Sequence, residues 1–477
     1  VTPTEPVRDV PSAPAVEGTV AFNGRTGVWA PGRRLLTSGL LAIVTVVAFE
    51  SLAISTVMPL VESDLGDLWL YGWVFSGFFL GNLVAIVVAG RAADRMAPVV
   101  PFAVGLMLFL AGLAIGGAAS GMVMLVAGRV LQGLGGGSMM AVAYVCIGRG
   151  YAPQDRPRMF ALLSTAWVVP SLIGPGLAGV VGETLGWRWV FLALIPVSAA
   201  IGLVAIAAVR SVSSSGTEVG ERALVGRAVA VAAGAGLVLG GIGSGNVIVA
   251  VVLIAAGLAL GLPAFVALTP GGTVRARAGL PAVVLTRGAL TFAFFAGDAF
   301  VPFALTSLKG ASAVVAGLAL TAAAVVWTIG SWTQERLIFR VGPRRLVRIG
   351  LGVLAGAAIL MAISLLPAVP VAVSLLTWGL AGLGMGLAYS PLSVTALSEA
   401  EPGREGAATS SLQLCDMLGT ALGTGVAGAV VATGVSITGS DGPAVVAVLG
   451  LTAVMAGMAV LLAGRVPRHL RIVNASV

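Results

Sequence analysis

Between Arg227 and Arg275 no residue carries a formal charge. A helix needs about 20 mostly apolar residues to cross the hydrocarbon core of a bilayer. That stretch is too long for one crossing and fits two, with a turn at residues 241–246 (Gly-Ile-Gly-Ser-Gly-Asn). Similar apolar runs recur along nearly the whole chain. Backbone polar groups in lipid must be satisfied within the protein, which leaves helices or a closed barrel. Barrel strands alternate apolar and polar residues over segments of about ten. The runs here are longer and rich in Leu, Ala, Val and Gly, so they read as helices. A chain with 58% hydrophobic and 10% charged residues also lies outside the range of soluble domains. The expected class is all-α and integral to the membrane.

Spans are expected near residues 35–60, 70–90, 99–118, 121–148, 159–182, 187–209, 228–243, 247–268, 283–307, 311–334, 346–366, 369–395, 406–433 and 443–464, fourteen in all. They group as a six-helix bundle (35–210), cytoplasmic linkers carrying an extra hairpin (211–281, hairpin 228–268) and a second six-helix bundle (282–464). Two such halves with a cavity between them are a transporter layout. The flanks, 1–34 and 465–477, are expected to be cytoplasmic tails. The first is polar and proline-bearing and reads as disordered.

All but four of the 27 Lys and Arg fall in the tails and alternate loops. That is the positive-inside pattern and puts both termini in the cytoplasm. The net charge of +8 thus reports topology, and nucleic acid is not an expected partner. The arginine-rich, lysine-poor composition points to a bacterial plasma membrane. The outer loop 62–67 is acidic, and Trp69, Tyr71, Trp73, Trp187 and Trp189 stand near outer ends. Such rings favour the headgroup level. Cys146 and Cys415 have no disulfide or metal spacing, and the single histidine, His469, is in the tail. No metal, cofactor or enzymatic constellation is expected. The lone lysine, Lys309, precedes Gly310, so no phosphate-binding Gly-Lys-Ser/Thr is present. Rings of filter residues that would mark a channel are not evident.

Four short motifs carry a resemblance. Gly90-Arg-Ala-Ala-Asp94-Arg95, between spans two and three, is similar to the Gly-x-x-x-Asp-Arg loop of the major facilitator superfamily. Arg129-Val-Leu-Gln132-Gly133 on span four resembles its Arg-x-x-Gln-Gly. Gly174-Pro175-Gly-Leu-Ala-Gly179 on span five resembles the antiporter Gly-Pro motif. Glu50, ahead of Pro59, stands where the fourteen-span drug/proton antiporters carry an aspartate. The second half echoes the loop motif around Gly330, Arg336 and Gly342-Pro-Arg-Arg345. The loop motif departs from the family at Met96-Ala97-Pro98, where Gly and a basic residue are usual. The resemblance implies the major facilitator fold and proton-coupled efflux of small lipophilic or cationic compounds by alternating access. A dedicated exporter of a lipid or natural product, or an uptake carrier, fits the same fold. The implied gating motifs are Gly90, Asp94, Arg95, Gly174, Pro175 and Gly179.

Charges inside spans are costly and face a cavity or a partner. Glu50, Arg129, Asp298 and Asp416 are such charges. Glu50 and Arg129 lie roughly 15 and 12 Å from the outer ends of their spans, so they can meet. A carboxylate in a low-dielectric cavity takes up a proton more readily than in water, and a nearby arginine opposes this. Glu50, Arg129 and Asp416 are therefore the candidates for proton coupling. Asp298, Phe295 and Trp167 are the candidates for substrate binding, since aromatics beside a carboxylate suit a lipophilic cation. A static ion pair is the structural alternative for Glu50 and Arg129. Arg287, near a span end, is expected to snorkel. The expected partners are a small molecule, protons and the bilayer, and the expected state is a monomer.

Overall fold

The computed structural model describes residues 27–151, 155–212, 223–401 and 405–470, without the side chains of 94, 156, 157, 160, 161, 164 and 405. Most of the N-terminal tail, part of the first linker and the end of the C-terminal tail lie outside the described residues.

Hydrophobic residues with no strand-like alternation fold as helices throughout, and no strand occurs among the described residues. The first half is built from α1 (Arg34–Leu65), α2 (Tyr71–Arg95), α3 (Val99–Gly117), α4 (Met122–Gly150), α5 (Arg156–Thr165), α6 (Val168–Thr184), α7 (Arg188–Leu192) and α8 (Leu194–Val209). A hairpin follows, α9 (Ala223–Ile242) and α10 (Val247–Leu268). The second half comprises α11 (Leu280–Asp298), α12 (Val301–Lys309), α13 (Ala313–Val341), α14 (Pro343–Ser364), α15 (Val371–Glu399), α16 (Glu405–Thr438) and α17 (Asp441–Leu462). Thirteen crossings are long and apolar enough to span a membrane by themselves. The crossing made by α5 and α6 completes a set of fourteen.

Three crossings are interrupted where the sequence reading drew continuous spans, and proline explains each. A proline in a helix lacks the N–H that would bond the carbonyl four residues back, and its ring crowds that carbonyl. Pro170 faces Ala166 at the α5–α6 break, Pro196 faces Leu192 at the α7–α8 break, and Pro302 faces Asp298 at the α11–α12 break. The freed Ala166 carbonyl accepts a bond from Thr45 Oγ1 at 3.4 Å instead.

The two halves repeat each other. In the first, α4 packs on α2 and α3, and α1 packs on α6 and α8. In the second, α15 packs on α13 and α14, and α11 packs on α16 and α17. Glycine makes the closest of these contacts possible, as expected where helices associate through small residues. On α4, Gly133 lies on the backbone of Phe78, Gly135 on Gly105 and Gly137 on Asn82. On α15, Gly382 lies on Ala323, Gly384 on Gly350 and Gly386 on Trp327. A methyl added at Gly135 would sit 2.5 Å from the Gly105 carbonyl oxygen. Gly135→Ala should therefore lower stability by about 1–3 kcal/mol, read as a drop in unfolding temperature in detergent. Gly90→Ala, whose methyl meets no atom within 4 Å, should leave that temperature unchanged or raise it. Equal effects from both would rule out backbone packing as the reason for the α4 glycines.

The halves meet along two seams, α2 on α16 and α6 on α13, with α1 also touching α12 and α13. Ser76 Oγ bonds the Ala421 carbonyl at 2.7 Å and Thr424 Oγ1 at 3.1 Å. Gly72 lies on Gly428, Gly179 on Val314, and Gly317 on Thr56 and Pro175. All these contacts fall in the parts of the helices nearer the acidic loop 62–67, so the halves are closed at that end. Tyr71 belongs to this closure and not to a headgroup belt. It is fully buried, its ring lies 4.7 Å from that of Phe300, and its hydroxyl donates to the Ala299 carbonyl at 3.4 Å. Trp187 is likewise buried and donates its indole N–H to Asp64 at 3.1 Å. Trp69 and Trp189 are exposed, as expected of interfacial rings.

The hairpin lies over the α2–α16 seam. Leu239 of α9 meets Gly425 of α16, and Trp73 of α2 reaches Gly236. Asn246 caps α10 by accepting from the amides of Ile248 and Val249. Val247, Ile248, Val251 and Val252 remain exposed along α10, a face suited to lipid.

Candidate functional site

The first-half site forms where α1, α2 and α4 converge. Glu50 and Arg129 are both buried and make an ion pair through Glu50 Oε1 and Arg129 Nη1. Gln132, one turn on from Arg129, donates to Glu50 Oε1 at 3.2 Å and accepts from Arg129 Nη1 at 3.0 Å. Arg129 also donates through Nε to the Val74 carbonyl at 3.2 Å and lies 4.4 Å over the Phe78 ring. The guanidinium is thus held on three sides, while the second carboxylate oxygen, Glu50 Oε2, is buried with no hydrogen-bond partner. Sequence reasoning paired Glu50 with Arg129. Gln132 is legible in the sequence only as part of the Arg129-Val-Leu-Gln132-Gly133 motif.

A second buried ion pair lies in the other half. Asp416 on α16 accepts from Arg287 Nη2 at 3.1 Å and from the Tyr389 hydroxyl at 2.8 Å. Arg287 Nη1 donates to the Tyr389 carbonyl at 2.7 Å and to Ser393 Oγ at 3.2 Å. The snorkelling expected of Arg287 is overturned: the residue is 3% exposed. Burial of Asp416 on the facing helix gives its charge a nearer partner than the membrane surface does. Tyr144 on α4 of the first half stands within electrostatic range of both Arg287 and Asp416. Arg287 and Tyr389 were not recognised as site residues. The one available signal was that a buried acid on α16 needs a cation somewhere in its own half.

Asp298 ends α11 at the proline-induced break. Its Oδ1 accepts the indole N–H of Trp378 on α15 at 2.9 Å, and Trp378 is fully buried. Phe294, one turn back, stacks on Trp378 at 5.8 Å and meets Trp327 edge-on at 5.6 Å. Phe295 turns toward the other half, 6.1 Å from the Phe79 ring. Asp298 therefore lies beside the contact between halves, among aromatic residues. Trp167 stands apart from this group. It sits at the α5–α6 break, 42% exposed, and no hydrogen bond or ring contact joins it to Asp298 or Phe295 among the described residues.

The expected loop motif is the last turn of α2. Gly90 is uncrowded and Arg95 is exposed, and Arg149 Nη1 donates to the Ala93 carbonyl at 2.9 Å. The Asp94 side chain lies outside the described set. Pro175 and Gly179 are packed at the contact between halves, Pro175 against Gly317 and Gly179 against the Val314 backbone, whereas Gly174 lies on Phe49 of α1 within its own half.

Residues 40–424 match the family described as Major Facilitator Superfamily. The chain belongs to this superfamily. It is therefore a multi-pass membrane transporter and not an enzyme. The chain is 27% identical over 428 residues to the multidrug transporter protein MdtP of Bacillus subtilis (strain 168), covering 83% of this chain and 75% of that protein. It is 29% identical over 430 residues to a probable multidrug-efflux transporter of Mycobacterium tuberculosis (strain ATCC 25618 / H37Rv), covering 86% and 90%. Among solved structures, a D-xylose-proton symporter superposes with a TM-score of 0.66 at 14% identity, over 91% of this chain and 98% of that one. An auto-inhibited POT family peptide transporter gives 0.65 at 17% identity, over 93% and 98%. At such identities these two structures speak for the fold alone.

Proposed function

We propose that this major facilitator transporter exports small lipophilic or cationic compounds in exchange for protons. Its place is the bacterial plasma membrane, as a monomer with both termini in the cytoplasm. The multidrug names of its relatives and the arginines gathered at one end support this reading. The observation that carries proton coupling is Glu50, whose Oε2 is buried without a partner while Oε1 is held by Arg129 and Gln132. A proton on that carboxylate removes the charge that holds Arg129, so loading and conformation become linked. Asp416 offers the same coupling to Arg287 in the second half. Cargo binds near Asp298 and Phe295. Gly90, Asp94 and Arg95 gate the arginine-rich end. Gly174, Pro175 and Gly179 let α6 bend and slide against α13.

The test is reconstitution in liposomes under an imposed pH gradient, with a fluorescent lipophilic cation as cargo. Wild type should move cargo against its gradient. Glu50→Gln should lose that movement while still exchanging labelled for unlabelled cargo at equilibrium. Gradient-driven movement that survives in Glu50→Gln would remove Glu50 from the coupling mechanism.

A further inference from the structure

The repeat that relates the two halves pairs a carboxylate on the first helix of each, Glu50 and Asp298, and the two settings are not chemically equal. Gly133 on α4 and Gly382 on α15 hold equivalent places, each on the backbone of the second helix of its half. Gly135 and Gly384 are equivalent on the third helix, against Gly105 and Gly350. One turn before these glycines stand Arg129 in the first half and Trp378 in the second. Each meets a carboxylate from the first helix of its own half: Arg129 meets Glu50, and Trp378 meets Asp298. The residue matching Gln132, one before the glycine, is Ala381. One geometry is thus furnished twice, with a guanidinium and an amide in the first half and with an indole and a methyl in the second.

The difference is one unit of charge. Glu50 with Arg129 is neutral as a pair. Trp378 gives Asp298 a hydrogen bond but no charge, since an indole N–H is a donor only. Among the described residues no Arg or Lys pairs with Asp298. Arg287 is committed to Asp416, and Lys309 donates to the carbonyls of Leu366 and Val369. Asp298 is partly exposed and stands between residues that touch the other half: Phe295 meets Phe79, and the Ala299 carbonyl accepts from Tyr71. A charge taken from water without a partner is costly, so a bound cation gains where a neutral molecule of the same shape does not.

We propose that Trp378 is the specificity-determining residue of the cargo site. By standing where the first half has an arginine, it leaves the charge of Asp298 uncompensated and available to a cation. This rests on the export reading above, and it goes further by naming the residue that sets charge preference. An arginine at this position would pair with Asp298, neutralise the site and turn preference toward uncharged cargo.

The experiment compares two cargos of similar shape, tetraphenylphosphonium and neutral triphenylphosphine oxide. Both are followed in proteoliposomes under a pH gradient with the membrane potential clamped. Wild type should prefer the cation by about tenfold, the ratio that roughly 1.4 kcal/mol of differential binding gives. Trp378→Phe, which removes the hydrogen bond but adds no charge, should keep that preference. Trp378→Arg should lose it while still moving the neutral compound, and Asp298→Asn should lose it in the same way. Cation preference retained in Trp378→Arg or in Asp298→Asn would overturn the proposal. So would equal loss of both cargos in Trp378→Phe and Trp378→Arg, the signature of a packing role. If Trp378→Arg does not fold, Trp378→Lys, a slimmer side chain with the same charge, takes its place, and cation preference retained in Trp378→Lys overturns the proposal. A wild type that moves the neutral compound only would overturn this inference and leave proton-driven export standing. A wild type that moves neither would sink the export reading itself.

Discussion

Arg129→Leu is expected to lower unfolding stability by about 3–5 kcal/mol, the usual effect of leaving one member of a buried ion pair without the other. Glu50 is fully buried and its carboxylate has two donors, the Arg129 guanidinium and the Gln132 amide. Removing Arg129 leaves one neutral donor for a charge in a low-dielectric site, and the chain responds by protonating Glu50 or by loosening around it. The double variant Glu50→Leu with Arg129→Leu removes both charges and should recover most of the loss, because well-packed apolar residues often replace such a pair at little cost. Unfolding in detergent, followed by intrinsic fluorescence, gives the comparison. A double variant no more stable than Arg129→Leu alone would show that packing over Phe78, and not the pair, is what Arg129 contributes.

Arg287 is the second site where a single substitution should be severe. Its two Nη groups are divided among Asp416, the Tyr389 carbonyl and Ser393. That division needs the planar fork of a guanidinium, which the single ammonium of lysine does not reproduce. Arg287→Leu is expected to lose about 3–5 kcal/mol, and Arg287→Lys should recover only part of it. Tyr389→Phe should lose about 1–2 kcal/mol, the cost of one hydrogen bond to a charged group. Unfolding temperatures of the three variants give the ranking. An Arg287→Lys variant as stable as wild type would mean that charge alone matters there. Tyr144 adds a functional readout. It comes from the other half and stands within electrostatic range of this pair, so Tyr144→Phe should alter transport, read in the liposome assay.

The fold was legible because lipid leaves the backbone few options. Charge-free stretches fixed the number of crossings, and the hairpin turn at Asn246 was visible as a break in apolar sequence. The Glu50–Arg129 pair was legible from depth, since two charges at similar heights in one half have few other partners. Arg287 was misplaced because depth along a helix says nothing about which face it presents. Its burial follows from Asp416 on a helix more than a hundred residues away. The partner of Asp298 was missed for a related reason. A carboxylate inside a span calls first for a charged partner, and Trp378 carries no charge. Irregularity beside Pro170 was legible from the sequence, but the breaks before Pro196 and Pro302 were not, because Pro59, Pro175, Pro263 and Pro391 sit inside unbroken helices.

Under the alternating access proposed above, the hairpin has a mechanical consequence. Helix α9 rests on α2 from one half and on α16 from the other, with Leu239 set against Gly425 and Trp73 against Gly236. The α6–α13 seam carries no comparable covering among the described residues. A rocking motion therefore meets unequal resistance at its two flanks. One flank is strapped by an added pair of helices, and the other is free to part. The halves should swing like a clamshell, with the strapped flank as the hinge and the widest mouth beside α6 and α13.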